Sequence, residues 1–230
     1  MKRLRHSRPY GRRSRLESTR EPAKVFVIST EGLTENIYFQ GFNLYADELR
    51  IHGRVIIDIL EKQDPGDTRS APEYIVGLLN EYVEDSGIDS DELWIVFDRD
   101  RQNNSTDKIL QILDHCQQRG YNIALTNPCF ELWLLMHVSD LSDYDPAILL
   151  ENPKDSIRAR RRFLEKEVTR HIGGYRKNNL QFGRFIAHLE QAVTNSALQC
   201  SIPLDLVNQL GTSVGNLVRA ILATRYQDGD

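Results

Sequence analysis

Apolar, mostly β-branched residues fill Lys24 to Ser29 (KVFVIS) and stop at a polar Thr30-Glu31-Gly32 step, the pattern of a strand buried on both faces. Thr34 can cap a helix that starts near Glu35 and runs towards Leu49, with Tyr38, Phe42 and Tyr45 sharing one face at i, i+4, i+7. Arg50 to Leu60 reads as a second strand with Gly53 as a bulge position. The Pro-, Gly- and Asp-rich loop Asp64 to Ser70 leads into a helix opened by Pro72 and closed by Gly87. Its stripe of Ile75, Leu78, Leu79, Tyr82 and Val83 is core packing. Leu93 to Phe97 is a third apolar run, ending in Asp98-Arg99-Asp100. A polar loop, Gln102 to Ser105, precedes a helix over Thr106 to Gln118 that Gly120 stops. Tyr121 to Leu125 predicts a short fourth strand. Asn127 and Pro128 suit the N-cap and first position of a helix over Cys129 to Val138.

Strands alternating with helices predict an α/β fold: a mostly parallel sheet with right-handed crossovers, flanked by helices. After Ser139 the pattern changes. Asp140 to Pro153 reads as loop, followed by helices over Ser156 to His171, Leu180 to Asn195 and Ser213 to Thr224. The chain therefore divides into a tail (1–22), an α/β core (23–139) and a helical C-terminal region (140–230) packed on that core.

Composition sharpens this in three ways. A formal net charge of −4 argues against a generic nucleic-acid coat, yet the first 22 residues concentrate Arg3, Arg5, Arg8, Arg12, Arg13, Arg15 and Arg20. Such a tail is expected to be disordered alone. It is either a phosphate-grasping arm or a solvated tail that docks on an acidic partner. No apolar run approaches a membrane span and no h-region follows the arginines, so a cytoplasmic protein without membrane contact is expected. Cys116, Cys129 and Cys200 are odd in number and contain no CxxC pair. That excludes a disulfide framework or a zinc ribbon and suits buried thiols in a reducing compartment. No GxxxxGK[ST] loop is present for ATP hydrolysis.

The acids Glu31, Glu35, Asp98, Asp100 and Glu131 each fall at the carboxyl end of a predicted strand or in the first turn of the next helix. If those strands are neighbours in one parallel sheet, the carboxylates converge on one edge. Gathered carboxylates raise one another's pKa unless a cation neutralises them. Oxygen donors without His or Cys favour Mg2+ or Mn2+ over zinc. Such an ion can bridge phosphate oxygens and activate water for in-line attack. Taken singly, each acid is equally a solvated loop carboxylate, and Glu131 a helix-dipole partner. The basic stretch from Ile157 to Asn179 has two readings as well. On a helix, Arg158, Arg161 and Arg162 share a broad face that is either plain solvated surface or a phosphate-binding wall. Lys177, beyond Gly173-Gly174, would then be a point charge on the scissile phosphate. Arg99, between the two aspartates, joins the nucleic-acid-binding candidates.

Three segments, STEGLTENIYF (29–39), VFDRD (96–100) and TNPCFELWLLMH (126–137), resemble the RloB-like family, part of the wider Toprim group. The resemblance covers Lys24 to Val138 and, more loosely, a C-terminal part that includes Tyr175-Arg176-Lys177. It implies a Toprim-like fold, with Glu31 as the glutamate after the first strand and Asp98/Asp100 as the DxD after the third. Glu35 matches the family's acid one turn further on, and Phe130-Glu131-Leu132-Trp133 its FEhW segment. Ser29-Thr30 stand where a Cys often precedes the glutamate, a change without consequence for metal binding. Neither the tyrosine-bearing second domain of a topoisomerase nor the zinc module of a primase is present. The resemblance thus implies a Mg2+- or Mn2+-dependent nuclease cutting RNA or DNA. In it Asp98 and Asp100 hold the metal, Glu31 holds it or acts as general base, Glu35 supports a second ion and Lys177 balances transition-state charge. It further implies an abortive-infection effector in bacterial anti-phage defence, with an ATPase partner of the ABC or SMC type. The alternatives are a non-catalytic binding or sensor subunit of such an ATPase complex, and a nucleotidyl transferase.

Overall fold

Four parallel strands, β1 (Lys24–Thr30), β2 (Val55–Leu60), β3 (Glu92–Asp98) and β4 (Asn122–Asn127), lie in the order β2-β1-β3-β4. A fifth, β5 (Gly211–Thr212), pairs antiparallel with β4. The computed structural model describes residues 24–60, 71–86 and 92–226. The expectations for the basic tail, for the Asp64–Ser70 loop and for Gly87 lie outside the described residues. In β1 and β3 the runs Phe26–Ile28 and Leu93–Phe97 are buried without interruption, as strands covered on both faces require.

Helices α1 (Leu33–Leu44), α2 (Pro72–Ser86), α3 (Thr106–Arg119), α4 (Glu131–Met136), α5 (Pro146–Glu151), α6 (Phe163–Ile172), α7 (Leu189–Ala197), α8 (Pro203–Leu206) and α9 (Val214–Leu222) flank the sheet. The two-residue period of the strands sorts the core into two layers. Phe26, Ile28, Trp94 and Val96 face a large cluster with Tyr38, Trp133, Leu164 and Leu217. Val27, Ile95 and Phe97 face a smaller one with Ile75, Leu79, Ile112 and Leu206. The C-terminal region is thus continuous with the main core. It also supplies β5, a two-residue strand too short to leave a periodic signature.

Several local expectations change. Gly32, not Thr34, holds the α1 N-cap position, and the Thr34 hydroxyl donates instead to the Lys177 carbonyl at 3.0 Å. α1 ends at Leu44, and β2 starts only at Val55. Asn127 closes β4 rather than capping a helix. Its amide donates to the Leu206 and Gln209 carbonyls at 2.8 and 2.9 Å, Pro128 follows in a cis peptide, and α4 begins at Glu131. The Asp140–Pro153 loop contains α5, capped by Asp145 and ended by Asn152 in a left-handed conformation. The helix expected over Ser156–His171 begins only at Phe163. The chain loops out after Pro153 and returns, held by Phe163 N–H to Pro153 O (2.9 Å), Leu164 N–H to Asn152 Oδ1 (2.9 Å) and a Lys154–Arg162 bridge. Arg158, Arg161 and Arg162 therefore precede α6 instead of sharing its face. The helix expected over Leu180–Asn195 is two 3-10 turns, Phe182–Arg184 and Ile186–His188, followed by α7. No helix among the described residues is long and apolar enough to cross a membrane.

Candidate functional site

β1 and β3 are adjacent and in register, with Thr30 opposite Val96, so their carboxyl ends open side by side. The chain leaving β1 stays on the sheet for one more residue, through Glu31 N–H to Val96 O at 3.0 Å. The Glu31 carboxylate turns back across β3 and accepts the Asp98 backbone N–H at 3.0 Å. Gly32 then lets the chain pass the Glu35 carboxylate closely. A Cβ at Gly32 would lie 2.4 Å from Glu35 Oε2. Glu35, in the first turn of α1, is 6% exposed.

These carboxylates carry an electrostatic cost. Burial pushes Glu31 up to about 7, partly offset by the Asp98 amide and reinforced by Glu35 and Asp100. Burial also pushes Glu35 up to about 7, with Glu131 adding repulsion. Asp98 is held well above the usual carboxylate range by burial and then by Glu35, Glu31 and Glu131. Its Oδ1 is buried with no hydrogen-bond partner. Asp100 is less enclosed. It sits at φ +29°, its carbonyl accepts the Asn103 and Asn104 amides at 3.0 and 2.9 Å, and its carboxylate accepts Asn103 Nδ2 at 2.6 Å.

Glu131 differs from its neighbours because it has its own cation. Lys177 Nζ lies 2.8 Å from Glu131 Oε1 and 3.1 Å from Glu165 Oε1, and the Tyr175 hydroxyl donates to Glu131 at 2.9 Å. Burial works to raise the Glu131 carboxyl, but Lys177, the Cys129 thiol and Tyr175 outweigh it and hold it below the ordinary value. Burial likewise opposes the Lys177 charge, and Glu131 and Glu165 outweigh it, raising the ammonium's pKa. The lysine's backbone is pinned to α1 by Thr34.

Among the described residues no three His, Cys, Asp or Glu side chains are gathered into a ready metal cluster. The orphaned Asp98 oxygen and the elevated Glu31, Glu35 and Asp98 carboxyls, only partly offset by Lys108 and Lys177, nevertheless form an oxygen-rich set. It fits a hard divalent cation better than a proton-free empty pocket.

Beside these acids opens a cleft of about 650 Å3, walled by Asp98 and Asp100 and rimmed by Arg101, Arg162 and Lys177. Arg162 donates to the Asn152 carbonyl at 3.2 Å and to Gln102 Oε1 at 2.9 Å. Arg158 and Arg161 lie on the exposed loop and do not line this cleft. Arg99 is the clearest departure. It is 4% exposed and its guanidinium donates to Val207 O, Asn104 O and Thr106 Oγ1 at 2.9, 2.8 and 3.0 Å, so it is a strut inside the fold and not a phosphate contact. Sequence reasoning missed Arg101, Tyr175, Glu165 and Cys129. Arg101 adjoins the DxD step and Tyr175 lies two residues before Lys177, the available signals.

A parallel α/β domain with buried acids at the carboxyl ends of adjacent strands is the class defined by this fold and site. The chain belongs to the RloB-like protein family, whose model matches residues 26–221 and so takes in the acids, the cleft and the C-terminal helices. Neither a curated protein nor a solved structure matches the chain.

Proposed function

We propose that the chain is a Toprim-type nuclease, dependent on Mg2+ or Mn2+, that cleaves phosphodiester bonds in RNA or DNA. The supporting observation is the orphaned, buried Asp98 oxygen beside Glu31 and Glu35, a group of carboxylates that, among the described residues, no side-chain cation contacts directly, unlike Glu131. Asp98, Asp100 and Glu31 would hold the ion, with Glu35 behind them. A cation there supplies charge neutralisation at the phosphate and activation of water. The Asp98 amide fixes the Glu31 carboxylate, which either holds the ion or accepts a proton from the attacking water. Lys177 lines the cleft and is paired with Glu131 and Glu165, Tyr175 fixing Glu131, and its ammonium would meet charge developing on the phosphate. In this reading the chain is an anti-phage effector working with an ABC- or SMC-type ATPase.

The test is incubation of purified protein with Mn2+ and labelled RNA or DNA, with and without the ATPase, comparing wild type with Asp98→Ala. Metal-dependent cutting that the substitution abolishes is expected. Cutting that survives it would sink the mechanism. A second reading makes the chain a non-catalytic subunit docking on the ATPase, with Lys177, Glu131 and Glu165 as a structural ion-pair group. It predicts no cutting in any combination and complex formation indifferent to Asp98→Ala.

A further inference from the structure

The cleft next to Asp98 has a form that the acids alone do not require. Its lining combines apolar Pro128, Ala147 and Leu150 with the cations Arg101, Arg162 and Lys177. Glu151 adds a third carboxylate to Asp98 and Asp100. Its volume of about 650 Å3 lies within the range of small-molecule sites, the size that one nucleotide unit needs. Two segments that line it, the turn after β3 and the return before α6, are joined by the Arg162–Gln102 hydrogen bond at 2.9 Å. Asp98 and Asp100 line this cleft, so a phosphate approaching them enters it. A duplex, stiff and with its bases stacked inside, stays at the rim. A single strand can turn one base out of its stack onto an apolar surface while cations hold the flanking phosphates.

We propose that this cleft is a binding site for one unpaired nucleotide of a single strand, its base against Pro128, Ala147 and Leu150 and its phosphate near Arg162 and Asp98. The assignment of that phosphate as scissile rests on the nuclease reading above; the nucleotide site itself does not. Binding is therefore the readout. Fluorescence anisotropy would be measured in Ca2+ with the full chain and a labelled single-stranded oligonucleotide, in RNA and DNA forms. The matching duplex and the same strand with an abasic unit moved along it serve as comparisons. Salt near 200 mM, on the order of that which suppresses non-specific phosphate binding, limits the contribution of the basic tail.

The single strand is expected to bind about tenfold or more tighter than the duplex, and an abasic unit at one position to cost about tenfold, the scale of one base contact. Ala147→Trp, a change at an exposed residue of the lining, should occupy the base site, weaken the single strand by a similar factor and leave the duplex unchanged. Leu150→Trp serves as the second filling variant. Equal binding of single strand and duplex, indifference to every abasic position, or no binding of either probe overturns the proposal. Discrimination without Mn2+-dependent cutting would leave the nucleotide site standing and remove the nuclease. Cutting abolished by Asp98→Ala, without discrimination, would do the reverse.

Discussion

The Glu31 carboxylate accepts the backbone N–H of Asp98 at 3.0 Å, joining the ends of β1 and β3 through the first acid of the site. Glu31→Gln keeps an acceptor for that N–H and removes the charge. The folded-state carboxyl is raised from 4.5 to about 7, so its favourable linkage is present at low pH and lost as pH rises through about 7. Near pH 8 the wild type carries an ionised, half-buried carboxylate. Glu31→Gln should then be more stable by about 1–3 kcal/mol in chemical denaturation, an advantage that fades towards pH 5. Mn2+ should raise the wild-type Tm and raise that of Glu31→Gln much less. A variant less stable than wild type near pH 8 would contradict this account.

Gly32 is extended (φ −122°, ψ 164°), a backbone that any residue adopts, so its role is room for Glu35 and not conformational freedom. A methyl group there meets the far end of a movable side chain. Gly32→Ala should change global stability by less than about 1 kcal/mol, since the lost room is partly offset by a less flexible unfolded chain. It should displace the Glu35 carboxylate and blunt the Mn2+-induced rise in Tm. An unchanged Mn2+ response with unchanged stability would mean that Glu35 takes no part in the site.

Arg99 gives the sharpest contrast between chemistry expected from position and chemistry seen in place. Its three hydrogen bonds, two of them buried, join the DxD turn to Val207 beyond α8 and to the start of α3. Arg99→Ala leaves these acceptors without their donor and should cost about 2–4 kcal/mol. Arg99→Lys should recover little, because an ammonium cannot span the same fork. The salt dependence of nucleic-acid binding, measured where the variants remain folded, should not change. A shallower salt slope would return Arg99 to the phosphate contacts.

The parts of the site legible in the sequence were those carried by strand ends. Glu31, Glu35, Asp98 and Asp100 follow β-branched runs whose period fixes where each strand stops, and a parallel sheet brings those stops to one edge. What was not legible depends on contacts distant in sequence. Arg99 reads as exposed until Val207, far along the chain, is seen to accept its Nε–H. The arginine face over Ser156–His171 reads as helical because charge and propensity allow it. The chain is instead pulled into a loop by Asn152, whose side chain caps the backbone of Leu164. Lys177 reads as a point charge for a phosphate; its ion pairs with Glu131 and Glu165 are information that no local pattern carries. Asn127-Pro128 fits the grammar of a helix start, but the Asn127 side chain is taken by Leu206 and Gln209.

His137 supplies a pH test remote from the acids. It is 1% exposed, Nδ1 lies 3.1 Å from the Trp133 carbonyl, and Nε2 lies 3.1 Å from the Tyr38 hydroxyl. The carbonyl can only accept, so Nδ1 carries the proton and Nε2 accepts from Tyr38. Burial pushes the imidazole from 6.5 down to about 3, so the folded protein keeps it neutral where the unfolded chain protonates it. This contribution to stability is complete above 6.5 and is lost progressively as pH falls towards 3. The raised carboxyls of Glu31 and Glu35 act in the opposite direction, so the wild-type curve alone mixes the two. In His137→Gln the carboxyl contribution remains and the imidazole contribution is gone. Relative to that variant, wild type should lose about 2 kcal/mol between about pH 7 and pH 5 in urea unfolding, whatever the offset at neutral pH. Parallel stability curves for the two proteins across that interval would show that His137 titrates alike in the folded and unfolded states.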